Sequence, residues 1–239
     1  MQISKHMVQA LACGMIAVAV TPSALAKAQP GFYLGISGGQ SSVDIAKEDV
    51  DDIILDAFSS VGAPVITGTS TFEDSDTSIS FLAGYRFLPY VAVEASYINL
   101  GTAEYRSSGR VNPPGPVTSA ASTANMDIEV TGFTLAGIGS LPIGEVFDLH
   151  ARLGFFVAKT EISASVTIGS SPPGNDTDST DSVSALYGVG AAFHFGEHWS
   201  VSADWTRYAN VGDADEDEDF ETEEGFDVDA LSVSVMFKF

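Results

Sequence analysis

Alternation is the feature that most constrains this chain. Eight stretches set apolar residues against small or polar ones with a period of two: Gly31 to Gln40, Thr77 to Phe87, Val91 to Leu100, Asp127 to Leu141, Phe147 to Val166, Val183 to Phe195, Trp199 to Asn210 and Asp227 to Phe239. Successive side chains of a strand point to opposite faces, so each stretch presents one apolar face. The connections alternate as well. Short turns fall at Leu88-Pro89-Tyr90, Pro142 to Glu145 and Gly196 to His198, and long polar segments fall at Ser41 to Asp76, Gly101 to Asn125, Ile168 to Asp181 and Val211 to Gly225. A soluble sandwich has no reason to gather every long connection at one end. A transmembrane barrel does: its strands are even in number, about 9–11 residues long, and joined by short turns on one side and long loops on the other. The fold expected over residues 27–239 is therefore all-β, an eight-stranded antiparallel up-and-down transmembrane β-barrel. Val50, Ile53, Ile54, Ala57, Phe58 and Val61 lie near helical spacing, which predicts one short helix in the first long loop. Pro113, Pro114 and Pro116 break regular structure in the second.

If the apolar faces meet lipid, they must be free of charge at mid-depth, where Arg or Lys costs about 2–4 kcal/mol. The alternate positions from Phe32 to Ile36, Ile79 to Phe87, Val91 to Tyr97, Phe133 to Leu141, Phe147 to Val157, Tyr187 to Phe195, Trp199 to Trp205 and Leu231 to Phe239 carry none. Glu129, Lys159, Glu161, Arg207 and Asp229 share that phase only near the loop ends, where the cost falls to about 0–1 kcal/mol. Phe87, Trp199, Phe237 and Phe239 at the turn end and Trp205 nearer the loop end suit interfacial girdles. Arg86, Glu94, His150, Arg152 and Asp204 fall on the opposite phase and would converge inside the barrel. An eight-stranded interior is just wide enough to be filled by side chains, so these charges are expected to pair with one another as a polar plug. Rearranging pairs would give a small ion path instead.

Residues 1–26 read as a cleaved signal peptide. Lys5 and His6 start it, Val8 to Val20 is mostly apolar and too short to span a bilayer, and Ala24-Leu25-Ala26 offers a cleavage site. Cys13, the one cysteine, lies within it, so the mature chain is expected to form no disulfide and no thiolate metal site. At the other end Leu231, Val233, Val235, Phe237 and Phe239 share one face. A last strand ending Phe-Lys-Phe resembles the signature by which outer-membrane barrels close and are read by the barrel-assembly machinery.

The chain is 45% hydrophobic yet carries a net charge of −22. Both hold if apolar residues are dispersed in strands while acids collect in loops, and the acid excess excludes a nucleic-acid partner. Asp213, Asp215, Asp217 and Glu224 match part of a calcium loop, but Glu218 stands where the sharp turn needs Gly. The expectation is a solvated loop with no metal and no cofactor, leaving divalent cations at most as weak bridges to lipid head groups. A barrel enzyme would need a His beside a Ser and an acid. His198 and Ser200 are close in sequence but have no acid marked as a partner, so no catalytic residues are assigned.

Three segments carry a family resemblance: GYRFLPYVAVEASYINLG (Gly84 to Gly101), FDLHARLGFFVAKTE (Phe147 to Glu161) and WSVSADWTRYANVGD (Trp199 to Asp213). They resemble the eight-stranded transmembrane domain of OmpA-type proteins. The resemblance implies a monomeric barrel in the Gram-negative outer membrane with structural, adhesive or small-pore roles, and interior charges at Glu94, Arg152 and Asp204. Ile138 and Ser202 depart from it, standing about where the family carries an interior Lys and an interior Arg. The chain stops at the barrel, so a wall-tethering role through a peptidoglycan-binding domain is not expected. The function expected is structural or surface-interacting, through acidic extracellular loops and an extracellular ligand. A low-conductance pore is the second reading and a lipid-modifying enzyme the third.

Overall fold

The computed structural model describes residues 30–114, 119–212 and 225–239. Residues 1–26, read above as a signal peptide, and the acidic run Asp213 to Glu224 lie outside the described residues. Ten elements follow in order: β1 (Gly31–Asp44), α1 (Lys47–Ser60), β2 (Val65–Glu73), β3 (Ser75–Leu88), β4 (Val91–Val111), β5 (Ala120–Ile143), β6 (Phe147–Ile168), β7 (Gly174–Phe195), β8 (Trp199–Val211) and β9 (Phe226–Lys238).

Eight of the nine strands close into an antiparallel ring, ordered β4-β3-β1-β9-β8-β7-β6-β5, with β4 pairing back onto β5. The terminal strands β1 and β9 run together from Tyr33 opposite Lys238 to Asp44 opposite Asp227. Closure leaves no unpaired edge within the ring, the condition for a sheet to stand in hydrocarbon. Across the middle of the barrel the outward face is apolar: Leu153 is 69% exposed and Phe133 64%, and Phe32, Ile36, Phe81, Phe155 and Val183 are similarly bare. No water-facing surface carries so large a contiguous apolar patch. Aromatic rings edge this band. Phe32, Tyr85 and Phe87 pack in succession at the turn end with centroids 4.6 and 4.8 Å apart, and Trp199, Phe237 and Phe239 continue them at 5.0 and 5.3 Å.

The ninth strand, β2, corrects the expected count. It lies in what the sequence presented as a loop and pairs with the far half of β4, from Val65 opposite Val111 to Glu73 opposite Glu104. The strands flanking the second and third loops are also longer than expected, since β4, β5, β6 and β7 hold 21, 24, 22 and 22 residues. That is about twice the length needed to cross a bilayer. The surplus stands beyond the lipid as an open sheet ordered β2-β4-β5-β6-β7, a hood over one side of the barrel mouth.

A bulge marks the boundary between barrel and hood. The β4–β5 register shifts between Asn99 and Thr102, and Gly101 adopts φ +83°. The Asn99 carbonyl Oδ1 accepts the Gly101 N–H at 2.6 Å, and the Asp76 carboxylate accepts the Thr102 N–H at 2.9 Å. A Cβ on Gly101 would press on the Asp76 side chain as well as strain the backbone. Gly101→Val is expected to cost about 1–3 kcal/mol. It would be read as a lower urea midpoint together with new protease cleavage after residue 100.

α1 docks on the inner face of the hood. Val50, Ile54 and Phe58 are buried against Tyr105, Val111 and Ala124. Ile53 and Val61, expected on the same apolar face, are instead 60% and 61% exposed. Asp51 ties the helix down, accepting hydrogen bonds from Lys47 Nζ and Tyr105 Oη at 2.6 Å each. Burial raises the Asp51 pKa, but these donors outweigh it and bring the carboxyl to about 2. A carboxyl depressed below its unfolded value near 3.9 stabilises at higher pH and loses that contribution only as pH falls through about 2. The tether is therefore intact at neutral pH.

Candidate functional site

The interior is layered. At the turn end lies a polar chamber and above it an apolar plug. Each inward residue reaches the axis because strand alternation puts it there. The five charges expected inside all face inward; Asp148 and His194, whose inward phase the alternation gives but which were not counted in the network, join them, as does Tyr33.

The chain of contacts starts at Tyr33, whose hydroxyl donates to Glu94 Oε2 at 3.1 Å. Glu94 Oε1 stands 3.7 Å from Arg152 Nη1, and Arg152 Nη2 donates to Asp204 Oδ1 at 2.9 Å. The same Asp204 oxygen lies 2.6 Å from His150 Nε2, while Asp204 Oδ2 accepts from the Ser202 hydroxyl at 2.6 Å. His150 Nδ1 faces Asp148 Oδ1 at 3.4 Å, and Asp148 Oδ2 lies 2.8 Å from His194 Nε2. Arg86 closes the series 3.9 Å from Asp148, with Nη1 also donating to the Pro89 carbonyl and the Ser140 hydroxyl. Glu94, Asp148 and Asp204 are all buried, so each needs these donors to hold its charge away from water. Gly190 makes the centre possible, since a Cβ there would collide with Asp204 and His150.

The two departures from the OmpA-type pattern have local consequences. Ile138 packs with Tyr33, Leu82 and Ala92 as a small apolar floor, and Ser202 serves Asp204 with a hydroxyl. Arg152 and His150 are thus the nitrogen donors left to Asp204. Asp148 and His194 share the inward phase of His150, so the criterion that found His150 applies to them equally. Tyr33 carries a weaker signal, a lone aromatic among the Gly and Ser of the inward face of β1.

The apolar plug was not anticipated. Ile98, Val130, Phe156, Leu186, Tyr208, Val228 and Ala230 converge from six strands above the chamber, and the rings of Phe156 and Tyr208 lie 4.8 Å apart. Space for water along the axis amounts to small cavities of about 70, 30 and 10 Å³. Their signal in the sequence is large apolar side chains on the inward phase, visible at Phe156, Leu186 and Tyr208.

The closing-strand residues Leu231, Val233, Val235, Phe237 and Phe239 occupy the outward phase of the β9 end, paired with β1 and β8. The three described histidines are all engaged: His150 and His194 by carboxylates, and His198 by stacking on Phe237 with centroids 5.5 Å apart.

A ring of eight antiparallel strands with a lipid-facing band agrees with the comparison of whole families, in which the model of the outer membrane protein beta-barrel domain matches residues 10–239. The chain belongs to that family. It is an outer-membrane β-barrel protein related to OmpA. Outer membrane protein A of Serratia marcescens is 29% identical over 145 residues, a stretch covering 60% of this chain and 35% of that protein. The chain thus spans about a third of the length of this curated relative. Among solved structures, it is similar to the attachment invasion locus protein Ail of Yersinia pestis at 13% identity and a TM-score of 0.47, covering 89% of this chain and 100% of that one. Neisserial surface protein A is similar at 13% identity and a TM-score of 0.46, covering 87% and 97%.

Proposed function

We propose that this barrel is an outer-membrane anchor that displays its extracellular hood for attachment to another surface, and that it is neither a pore nor an enzyme. Short turns face the periplasm and long connections the exterior in such barrels, which puts the hood outside the cell. One observation carries the reading: the chain invests about half of β4 to β7, with β2 and α1, in an ordered sheet beyond the lipid. A conducting barrel needs an open axis, whereas this one carries the apolar plug. A catalytic histidine needs a free ring nitrogen beside a nucleophile; both ring nitrogens of His150 face buried carboxylates, and Nε2 of His194 faces Asp148.

The test is display of the full chain on a bacterial strain depleted of its own surface barrels. Beside it goes a variant with residues 45–74 replaced by a short Gly-Ser turn, which removes α1 and β2. Attachment to epithelial monolayers under flow is expected to rise with the full chain and fall back with the trimmed one. Attachment no better than the undecorated strain would sink the reading.

A further inference from the structure

Where α1 meets the hood the fit is incomplete. Asp51, Ile54, Leu55 and Phe58, spaced i, i+3, i+4 and i+7, face β2 and β4. Opposite them stand Gly68, Ser70, Ser107 and Gly109, with Ser122 from β5. Small residues facing Ile, Leu and Phe leave a cleft of about 180 Å³. A contact that served only to hold the helix would be packed to interior density. The space is not imposed by the backbone at Gly68, where a Cβ would meet its neighbours no closer than 3.5 Å.

Two further features describe an occupant. An apolar side chain lies bare at the rim of the cleft although it stands well beyond the lipid, with Leu55 43% exposed. The helix carries Glu48, Asp49, Asp51, Asp52 and Asp56 against one cation, Lys47, which is already tied to Asp51 and Ser70. Sites that enclose whole small molecules run to about 300–1,000 Å³. This cleft is smaller and suits a single large side chain, the form in which protein partners anchor.

The geometry points to a docking site between α1 and the β2–β4 sheet for an extended segment of a partner protein, one that inserts a large apolar side chain flanked by Lys or Arg. This rests on the attachment reading and names the class of its partner. Apolar insertion supplies the affinity, and the acidic helix selects and steers the basic flanks.

The probe is a short fluorescent Gly-Ser peptide with a central Phe between Lys residues, titrated by anisotropy against the refolded full chain in lipid nanodiscs. Its comparators replace the Phe by Ala or the Lys by Glu. The Phe-Lys peptide is expected to bind at least ~10-fold tighter than either. Gly68→Leu and Ser107→Leu, which fill the cleft and leave every acid in place, should abolish the Phe preference. Folding is checked by the mobility shift on heating in detergent gels, and if either variant fails to fold, Leu55→Glu at the exposed rim makes the same test. Equal binding of the Phe and Ala peptides, or a Phe preference that survives in folded variants, would overturn the site. So would free N-acetyl-phenylalanine amide binding as tightly as the peptide, which would make it a small-molecule pocket. Displayed cells that attach while the peptides show no Phe preference would overturn the docking site and leave the attachment reading standing. A Phe preference without attachment would do the reverse.

Discussion

Arg152→Met is expected to lower the stability of the folded barrel by about 3–5 kcal/mol, the usual cost of leaving buried carboxylates without their partner. Among the described residues, Arg152 is the one side chain that pairs with both Glu94 and Asp204, at 3.7 and 2.9 Å. Urea unfolding followed by the fluorescence of Trp199 and Trp205 measures the loss. Adding Glu94→Gln should recover part of it, because one of the stranded charges is then gone. Arg152→Lys should fall between parent and Met, since an ammonium keeps the charge but lacks the planar fork that serves two carboxylates at once. A loss below about 1 kcal/mol for Arg152→Met would mean that water already solvates the chamber.

The second large effect lies in the plug. Phe156 is fully buried against Tyr208, so Phe156→Ala is expected to cost about 3–5 kcal/mol by the same unfolding measurement. The parent chain is expected to be silent in planar bilayers. Trimming the plug further, with Phe156→Ala and Leu186→Ala together, should join the voids on either side and bring discrete openings. Discrete openings in the parent protein would show that the plug does not seal.

The barrel was legible in the sequence because lipid demands a strict period of two, and Leu231 to Phe239 or Leu149 to Val157 obey it. The interior charges were legible for the complementary reason, as the few charges on the opposite phase. Three things were not. The hood escaped because water makes no demand on its outer face and its inner face is apolar only where α1 packs: Thr67, Thr69 and Thr71 of β2 alternate with Gly68 and Ser70, which reads as loop composition. The phase of β4 also resets at Gly101, so its continuation to Val111 breaks the pattern that identified its first half. The plug escaped because the inward phase was treated as polar by rule, although an inward Phe156 needs only other apolar side chains around it. The helix was visible at Val50, Ile54 and Phe58, but only packing could say that Ile53 and Val61 turn away from the sheet.

The register shift at Gly101 has a counterpart across the ring, where β8 and β9 slip between Tyr208 and Val211 beside Asn210 at φ 56°. Two such dislocations act as expansion joints between the barrel and what stands above it. Above them β4 meets β5, and β8 meets β9, in a new register, while β5–β6 and β6–β7 run from barrel into hood without a shift. Changes to β2 and the far half of β4 are therefore separated from the lipid-facing pairs of β4, whereas changes of register in β6 would carry straight into the barrel. Selection, or an engineer, has more freedom to rewrite the exterior at β2 and β4 than along β6, where barrel and hood are one ladder.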